Sequence, residues 1–294
     1  MRKTTRLRTL IGKDKGVLIP GVSDALFAQI VARHGYDALY MTGAGTSATR
    51  LGRPDVGLLT LGEMVDNASR IANSVDIPLI SDADNGYGGP LNVRRTIQEF
   101  ERHGIAGVHL EDQVLPKRCG HLAGKQLVSR GDMVAKLKAA TDARLDDDFV
   151  IIARTDAIAV EGFDAAIERA VLYREAGADM IFVEAPSTAQ LPEIPRLIDA
   201  PLLYNMAASG KTPFLSQREI AAMGFDFIIY PNWMMLAAIK AADSVAARLR
   251  ASGEIATIAS EVPTFQEFFD LAGMQEIREL EERYGVPEEG RAGY

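Results

Sequence analysis

Lys117-Arg118-Cys119-Gly120-His121 puts two cations, a thiol and an imidazole within five residues, and Cys119 is the single cysteine of the chain. Cations beside a thiol favour its thiolate, so such a group can pass a proton or attack carbon near neutral pH. The segment is polar and carries glycine, so it reads as a loop, where function concentrates. A second set of residues is acidic. Asp82-Ala83-Asp84 places two carboxylates on one side of an extended chain, because side chains alternate with period two. Glu111 supplies a third. Three carboxylates without a convincing set of histidines suit Mg²⁺, or Mn²⁺, better than Zn²⁺. The local alternative is that each aspartate caps the helix after its strand, and it stays open for Asp84 and for Asp156. Arg154 ends the apolar run Phe-Val-Ile-Ile-Ala. A cation there needs an anion: a substrate carboxylate that matches its fork, or an ion pair with Glu184. The plain alternatives for the loop are an inert thiol at Cys119, a hydrogen-bonding His121, and solvated charges at Lys117 and Arg118.

The elements that must hold these residues repeat. Eight short apolar runs read as buried parallel strands: 16–20, 37–42, 77–82, 106–111, 149–154, 179–184, 201–205 and 226–230. Amphipathic helical patterns fall between them, for example at 24–34, 93–103, 165–176 and 236–249. Gly35, Gly104, Gly177 and Gly224 each stand just before a strand, as expected of the left-handed residue that ends a helix. One unit repeated eight times predicts a (β/α)₈ barrel of the α/β class. A doubly wound sheet is the alternative, but the chain has no strong phosphate-binding glycine fingerprint. In a barrel, strand C-termini face the active site. Those ends carry Thr42, Asp82 with Asp84, Glu111 with Asp112, Arg154 with Asp156, Glu184, Asn205 and Asn232. Two connections, 43–61 and 112–130, are long enough to act as ordered lids.

With 294 residues, 47% of them apolar, the chain has ample material for a core, and residues 1–294 read as a single barrel domain. A helical segment at about 254–285 is expected at a subunit interface. The net charge of −8, with no basic stripe, argues against nucleic acid and against anionic membranes. A single cysteine fits a reducing cytoplasm. The basic start, Met1-Arg2-Lys3, is not followed by the apolar run of a signal peptide, and no stretch is long and apolar enough to span a bilayer.

The motifs Asp82-Ala83-Asp84-Asn85-Gly86-Tyr87-Gly88, Glu111-Asp112-Gln113, Lys117–His121 and Ala153-Arg154-Thr155-Asp156-Ala157 resemble the isocitrate lyase and phosphoenolpyruvate mutase superfamily, as do Asn205-Met206 and Gly210-Lys211-Thr212-Pro213. The likeness runs from about residue 8 to residue 285, and the cysteine segment resembles the lyase branch. The branch implies a (β/α)₈ barrel whose eighth helix is exchanged with a partner, giving a homotetramer built as a dimer of dimers. It implies Mg²⁺ on Asp82, Asp84 and Glu111, with Asp55 in an outer role. It implies retro-aldol cleavage of a 2-hydroxy di- or tricarboxylate, of the 2,3-dimethylmalate or 2-methylisocitrate type, to a 2-oxo acid such as pyruvate and a saturated carboxylate. Cys119 then serves as proton donor, with Lys117, Arg118 and His121 tuning it. Arg154 and Glu184 organise the substrate. Thr42, Gly43, Ala44, Asn205, Gly120 and His121 bind it, and Tyr40 deprotonates the hydroxyl. Ala208 stands where several relatives carry Glu, which favours a smaller alkylmalate. Two other readings stay open: oxaloacetate hydrolysis or decarboxylation at the same site, and a non-catalytic carboxylate-binding protein.

Overall fold

The computed structural model describes residues 1–120, 122–209 and 213–292. The chain divides into two compact units, Met1–Met235 and Leu236–Tyr294. The first holds a closed barrel of eight parallel strands in chain order, with the last paired to the first. In order the elements are α1 Lys3–Leu10, β1 Val17–Val22, α2 Ala25–Arg33, β2 Leu39–Met41, α3 Gly43–Leu51, α4 Leu61–Asn73, β3 Leu79–Asp82, α5 Pro90–Arg102 and β4 Gly107–Glu111. Then follow α6 Arg130–Ala143, β5 Val150–Thr155, α7 Phe163–Glu175, β6 Met180–Val183, α8 Ile194–Leu197, β7 Leu202–Asn205, α9 Gln217–Met223, β8 Phe227–Tyr230 and α10 Trp233–Ser252. The (β/α)₈ expectation is borne out.

Side-chain alternation along the strands builds the barrel interior. Ile19, Tyr40, Ile80, Val150, Ile152, Met180, Phe182, Leu203, Phe227 and Ile229 form one buried cluster. One step of two further along the same faces come Thr42, Asp82, Arg154, Glu184 and Asn205. The residues that do chemistry therefore stand directly above the apolar layers, at the strand C-termini. α1 closes the other end. Its Leu7 is wholly buried in that cluster, and Arg8 pairs at 2.6 Å with Asp179, just ahead of β6. Thr4 and Thr5 donate to Asp146 and Asp148, just ahead of β5, at 2.7 and 2.6 Å.

The four glycines expected at helix ends do take positive φ, from 74° at Gly35 to 111° at Gly224. The expected strands at 77–82 and 201–205 begin later, at Leu79 and Leu202. Pro78 and Pro201 precede them, and proline has no N–H to give a ladder. Their carbonyls still accept from Leu39 and Ile181. The connection 43–61, expected as an ordered lid, contains α3, capped by Thr42 accepting from the Gly45 amide. A reciprocal cap then starts α4: Thr60 Oγ1 accepts from the Glu63 amide, and the Glu63 carboxylate accepts from the Thr60 amide at 2.8 Å. Thr60→Ala is expected to lower stability by about 1 kcal/mol, read as a shift in urea midpoint with activity unchanged.

The second unit carries the rest of α10 together with α11 Phe265–Leu271 and α12 Met274–Arg283. Within the helical segment expected at about 254–285 two α-helices are seen, separated at Gly273, which has φ 86°. None of α10, α11 and α12 contains a buried residue.

Candidate active site

Four carboxylates gather around one ammonium at the barrel mouth. Lys117 Nζ lies 2.6 Å from Asp55 Oδ1 and 2.5 Å from Asp84 Oδ1, with its side chain only 2% exposed. Burial works against this charge, but Asp84, Asp82, Glu111 and Asp55 together hold the Lys117 pKa well above its usual value. Asp84 sits just past β3 with φ 48° and is not a helix cap. Burial, helped by Asp82 and Asp55 and opposed by Lys117, pushes its carboxyl up to about 6. Asp82 accepts from the Asp84 amide at 2.9 Å and from the Gly43 amide at 3.2 Å. A Cβ on Gly43 would fall 2.3 Å from Asp82 Oδ2, so only glycine lets the first turn of α3 come this close. That turn holds Gly43 and Ala44, whose amides were expected on a substrate carboxylate, and it aims the positive end of α3 at Asp82. Glu111 is fully buried. Its Oε2 is 3.2 Å from Arg154 Nη1, and its Oε1 has no hydrogen-bond partner. Burial drives its pKa well up against the opposing pull of Arg154.

Hard divalent cations take oxygen donors. Among the described residues no group of three or more His, Cys, Asp or Glu stands at metal-holding spacing, and the Lys117 ammonium lies between Asp55 and Asp84. The donor chemistry nevertheless fits such an ion: buried carboxylate oxygens, one of them without a donor, in a pocket where negative charge is in excess.

The connection 112–130 lies over this mouth. Gly120 packs on Arg154 and Glu184, and a Cβ there would sit 2.8 Å from Glu184 Oε1. Gln113 clamps the backbone of Arg118 from both sides, accepting its amide at 3.0 Å and donating to its carbonyl at 2.8 Å. The Cys119 amide donates to the Asp55 carbonyl at 3.0 Å. The two long connections are thus joined at Asp55, through this bond and the Lys117 ion pair. Cys119 is partly buried and forms no disulfide. His121 and residues 210–212 lie outside the described residues.

Arg154 departs from the expected pairing with Glu184. Its fork is taken by Asp156, with Nε to Oδ2 and Nη2 to Oδ1 both at 3.0 Å, and its guanidinium lies 5.2 Å from the centroid of Phe182. Asp156 therefore serves as an anchor for Arg154, with no side-chain cap bond to the turn it begins. Glu184 receives Asn205 Nδ2 at 3.2 Å. Burial opposes the Asp156 charge, but Arg154 and Lys125 prevail and bring it to about 2. A depressed carboxylate stabilises the fold above its unfolded pKa of 3.8 and loses that contribution as pH falls through about 2. That contribution is on the order of 2 kcal/mol. The urea midpoint of wild type should exceed that of Asp156→Asn by a constant margin from pH 7 to about 4, and the margin should shrink below pH 4.

Tyr40, expected to take the hydroxyl proton, has its OH 2.7 Å from His109 Nε2. Burial, reinforced by Asp82, drives the phenol pKa well above 10.0. His109, which no sequence motif singles out, faces the site, 3.5 Å from Asp82 Oδ1. Burial lowers it to about 4. Its signal was present: His109 is two residues before Glu111 on one strand and shares its face. Thr42 donates to Asn232 Oδ1 at 2.8 Å across the mouth. Lys125 and Gln113, which brace the loop, had no signal in local pattern.

A parallel barrel with carboxylates, an arginine and a covered thiol at one mouth is built as an enzyme for small carboxylic acids. The chain belongs to the phosphoenolpyruvate mutase/isocitrate lyase superfamily: the phosphoenolpyruvate phosphomutase family profile matches residues 7–250. It is 44% identical over 287 residues to a 2,3-dimethylmalate lyase of Eubacterium barkeri, covering 97% of this chain and 99% of that one. It is 45% identical over 268 residues to a 2-methylisocitrate lyase of Aeropyrum pernix, covering 91% and 86%. A solved oxaloacetate acetylhydrolase in complex with the inhibitor 3,3-difluorooxalacetate superposes with a TM-score of 0.92 at 39% identity, covering 97% of this chain and 98% of that one.

Proposed function

We propose that this protein is a Mg²⁺-dependent carbon–carbon lyase that cleaves a 2-hydroxy dicarboxylate of the 2,3-dimethylmalate type by retro-aldol chemistry. The observation that carries the reading is the seating of Gly120 on Arg154 and Glu184, which brings the Cys119 segment over the carboxylate ring. Mg²⁺ would be held by Asp82, Asp84 and Glu111, with Asp55 outside them, and when bound would supply the positive charge that eases ionisation of the 2-hydroxyl. Arg154, fixed by Asp156, presents its remaining N–H to a substrate carboxylate, and Glu184 with Asn205 orients the other end. The C2–C3 bond breaks and its electron pair stays with the departing carbon as an aci-carboxylate. Cys119 Sγ–H gives its proton to that carbon, leaving a saturated carboxylate and a 2-oxo acid. The closed loop keeps water from that proton transfer. The hydroxyl proton goes toward the Tyr40–His109 pair.

Ala208, exposed where several relatives carry Glu, supports an alkylmalate over a tricarboxylate. The likeness to an oxaloacetate acetylhydrolase favours oxaloacetate hydrolysis as the second reading. We further propose a homotetramer in the manner of the superfamily. The apolar residues left exposed on α10 and α11, among them Ile239 and Phe265, support it. Among the described residues no helix is long and apolar enough to cross a membrane. The single thiol supports a reducing cytoplasmic setting.

The test is release of pyruvate or glyoxylate from 2,3-dimethylmalate, 2-methylisocitrate and isocitrate, and of oxalate and acetate from oxaloacetate, with Mg²⁺ and with EDTA. Metal-dependent pyruvate from dimethylmalate is expected. Turnover of oxaloacetate alone would move the assignment to the hydrolase.

A further inference from the structure

Lys125 lies late in the covering loop and bonds both to the loop and to the residue just past the C-terminal end of β5. Its ammonium is buried, with the side chain 3% exposed, and meets Asp156 Oδ1 at 2.8 Å, where Asp156 itself is fully buried. The same Nζ donates to the backbone carbonyl of Gly120. Asp156 in turn grips Arg154 with both carboxylate oxygens, and Arg154 packs beneath Gly120. The contacts close into a ring: Gly120 carbonyl, Lys125, Asp156, Arg154 and back to Gly120. A buried ammonium is costly without such partners. If the loop lifted away, Lys125 would leave Asp156, Asp156 would lose one of its two cations, and Gly120 would leave Arg154. The ring is therefore complete only while the loop is down.

We propose that Lys125 is a positioning residue that latches the Cys119 loop and, through Asp156, fixes the guanidinium of Arg154 for substrate. The proposal rests on the lyase reading for its kinetic effect, but the latch itself stands on geometry. It touches neither substrate nor reacting atoms. Its action is to make loop closure and arginine alignment a single event. A substrate carboxylate bound to a correctly aligned Arg154 then favours the closed loop, and a closed loop favours the aligned Arg154.

The experiment compares wild type, Lys125→Met and Lys125→Arg. Methionine keeps the stem and removes the charge. Two readouts are taken: kcat/KM on the turned-over hydroxy acid, and the rate at which iodoacetamide alkylates Cys119, with and without oxalate as a small dianion probe. Lys125→Met should lower kcat/KM on the order of 30-fold, mostly in kcat. It should speed alkylation about tenfold and weaken the protection that oxalate gives. Lys125→Arg should recover part of each. Alkylation needs no turnover, so it reads the latch even if the assigned reaction is wrong. Unchanged alkylation in a folded Lys125→Met, judged by circular dichroism, would overturn the proposal. So would a loss of activity that Lys125→Arg does not relieve at all.

Discussion

Cys119→Ser is expected to fold and to lose turnover. The loop holds its shape through the Cys119 amide on Asp55 and the Gln113 clamp, neither of which uses the thiol. What changes is acidity: a serine hydroxyl is a far weaker acid than a thiol. A positioned general acid contributes about 10²–10⁴-fold, so kcat for 2-oxo acid release should fall within that range while KM moves little. The check is a coupled assay for pyruvate at saturating substrate, with circular dichroism for the fold. A variant within threefold of wild type would show that the proton comes from elsewhere, as the oxaloacetate-hydrolysing reading requires.

The second large effect is expected at Asp82→Asn. This carboxylate accepts from two backbone amides and faces the positive end of α3. An asparagine keeps an acceptor for one of those bonds, so the loop after β3 should hold. The charge is lost, however, and with it a hard oxygen ligand. Even changes to the partners of metal ligands cost about 10–100-fold in metal affinity, so loss of a ligand should cost at least that much. Calorimetric titration with Mg²⁺, alongside the Mg²⁺ dependence of activity, measures it. An unchanged Mg²⁺ requirement in the variant would remove Asp82 from the metal site.

Much of this architecture could be read in the chain. Each helix closed by a glycine before an apolar run announced a repeating unit, and the repeat count led to the closed barrel. Strand alternation carried the mouth residues: Asp82, Glu111, Arg154, Glu184 and Asn205 all surface at strand ends. What the chain did not disclose is which charges meet. Arg154 was read as holding a substrate carboxylate or pairing with Glu184, and it took Asp156, two residues away, because a β5 end that turns at once brings that carboxylate round to the guanidinium. Lys125 reaches Asp156 across 31 positions, a distance at which local pattern is silent. α3 escaped notice because its sequence, Gly-Ala-Gly-Thr-Ser-Ala-Thr-Arg-Leu, is weak in helix formers and depends on the Thr42 cap and on burial of Gly43, Gly45, Thr46 and Ser47.

The join at Asp55 has a consequence for anyone wishing to change what this barrel acts upon. Segment 112–130 carries the thiol, and transplanting it alone from a relative would be the obvious route to a new specificity. Its anchor, however, belongs to the other segment: Lys117 and the Cys119 amide both hold Asp55. A donor segment cut to suit a different 43–61 would arrive with its fastening points misplaced. The two stretches form one exchangeable module, separated by roughly fifty residues of chain and needing to be moved together.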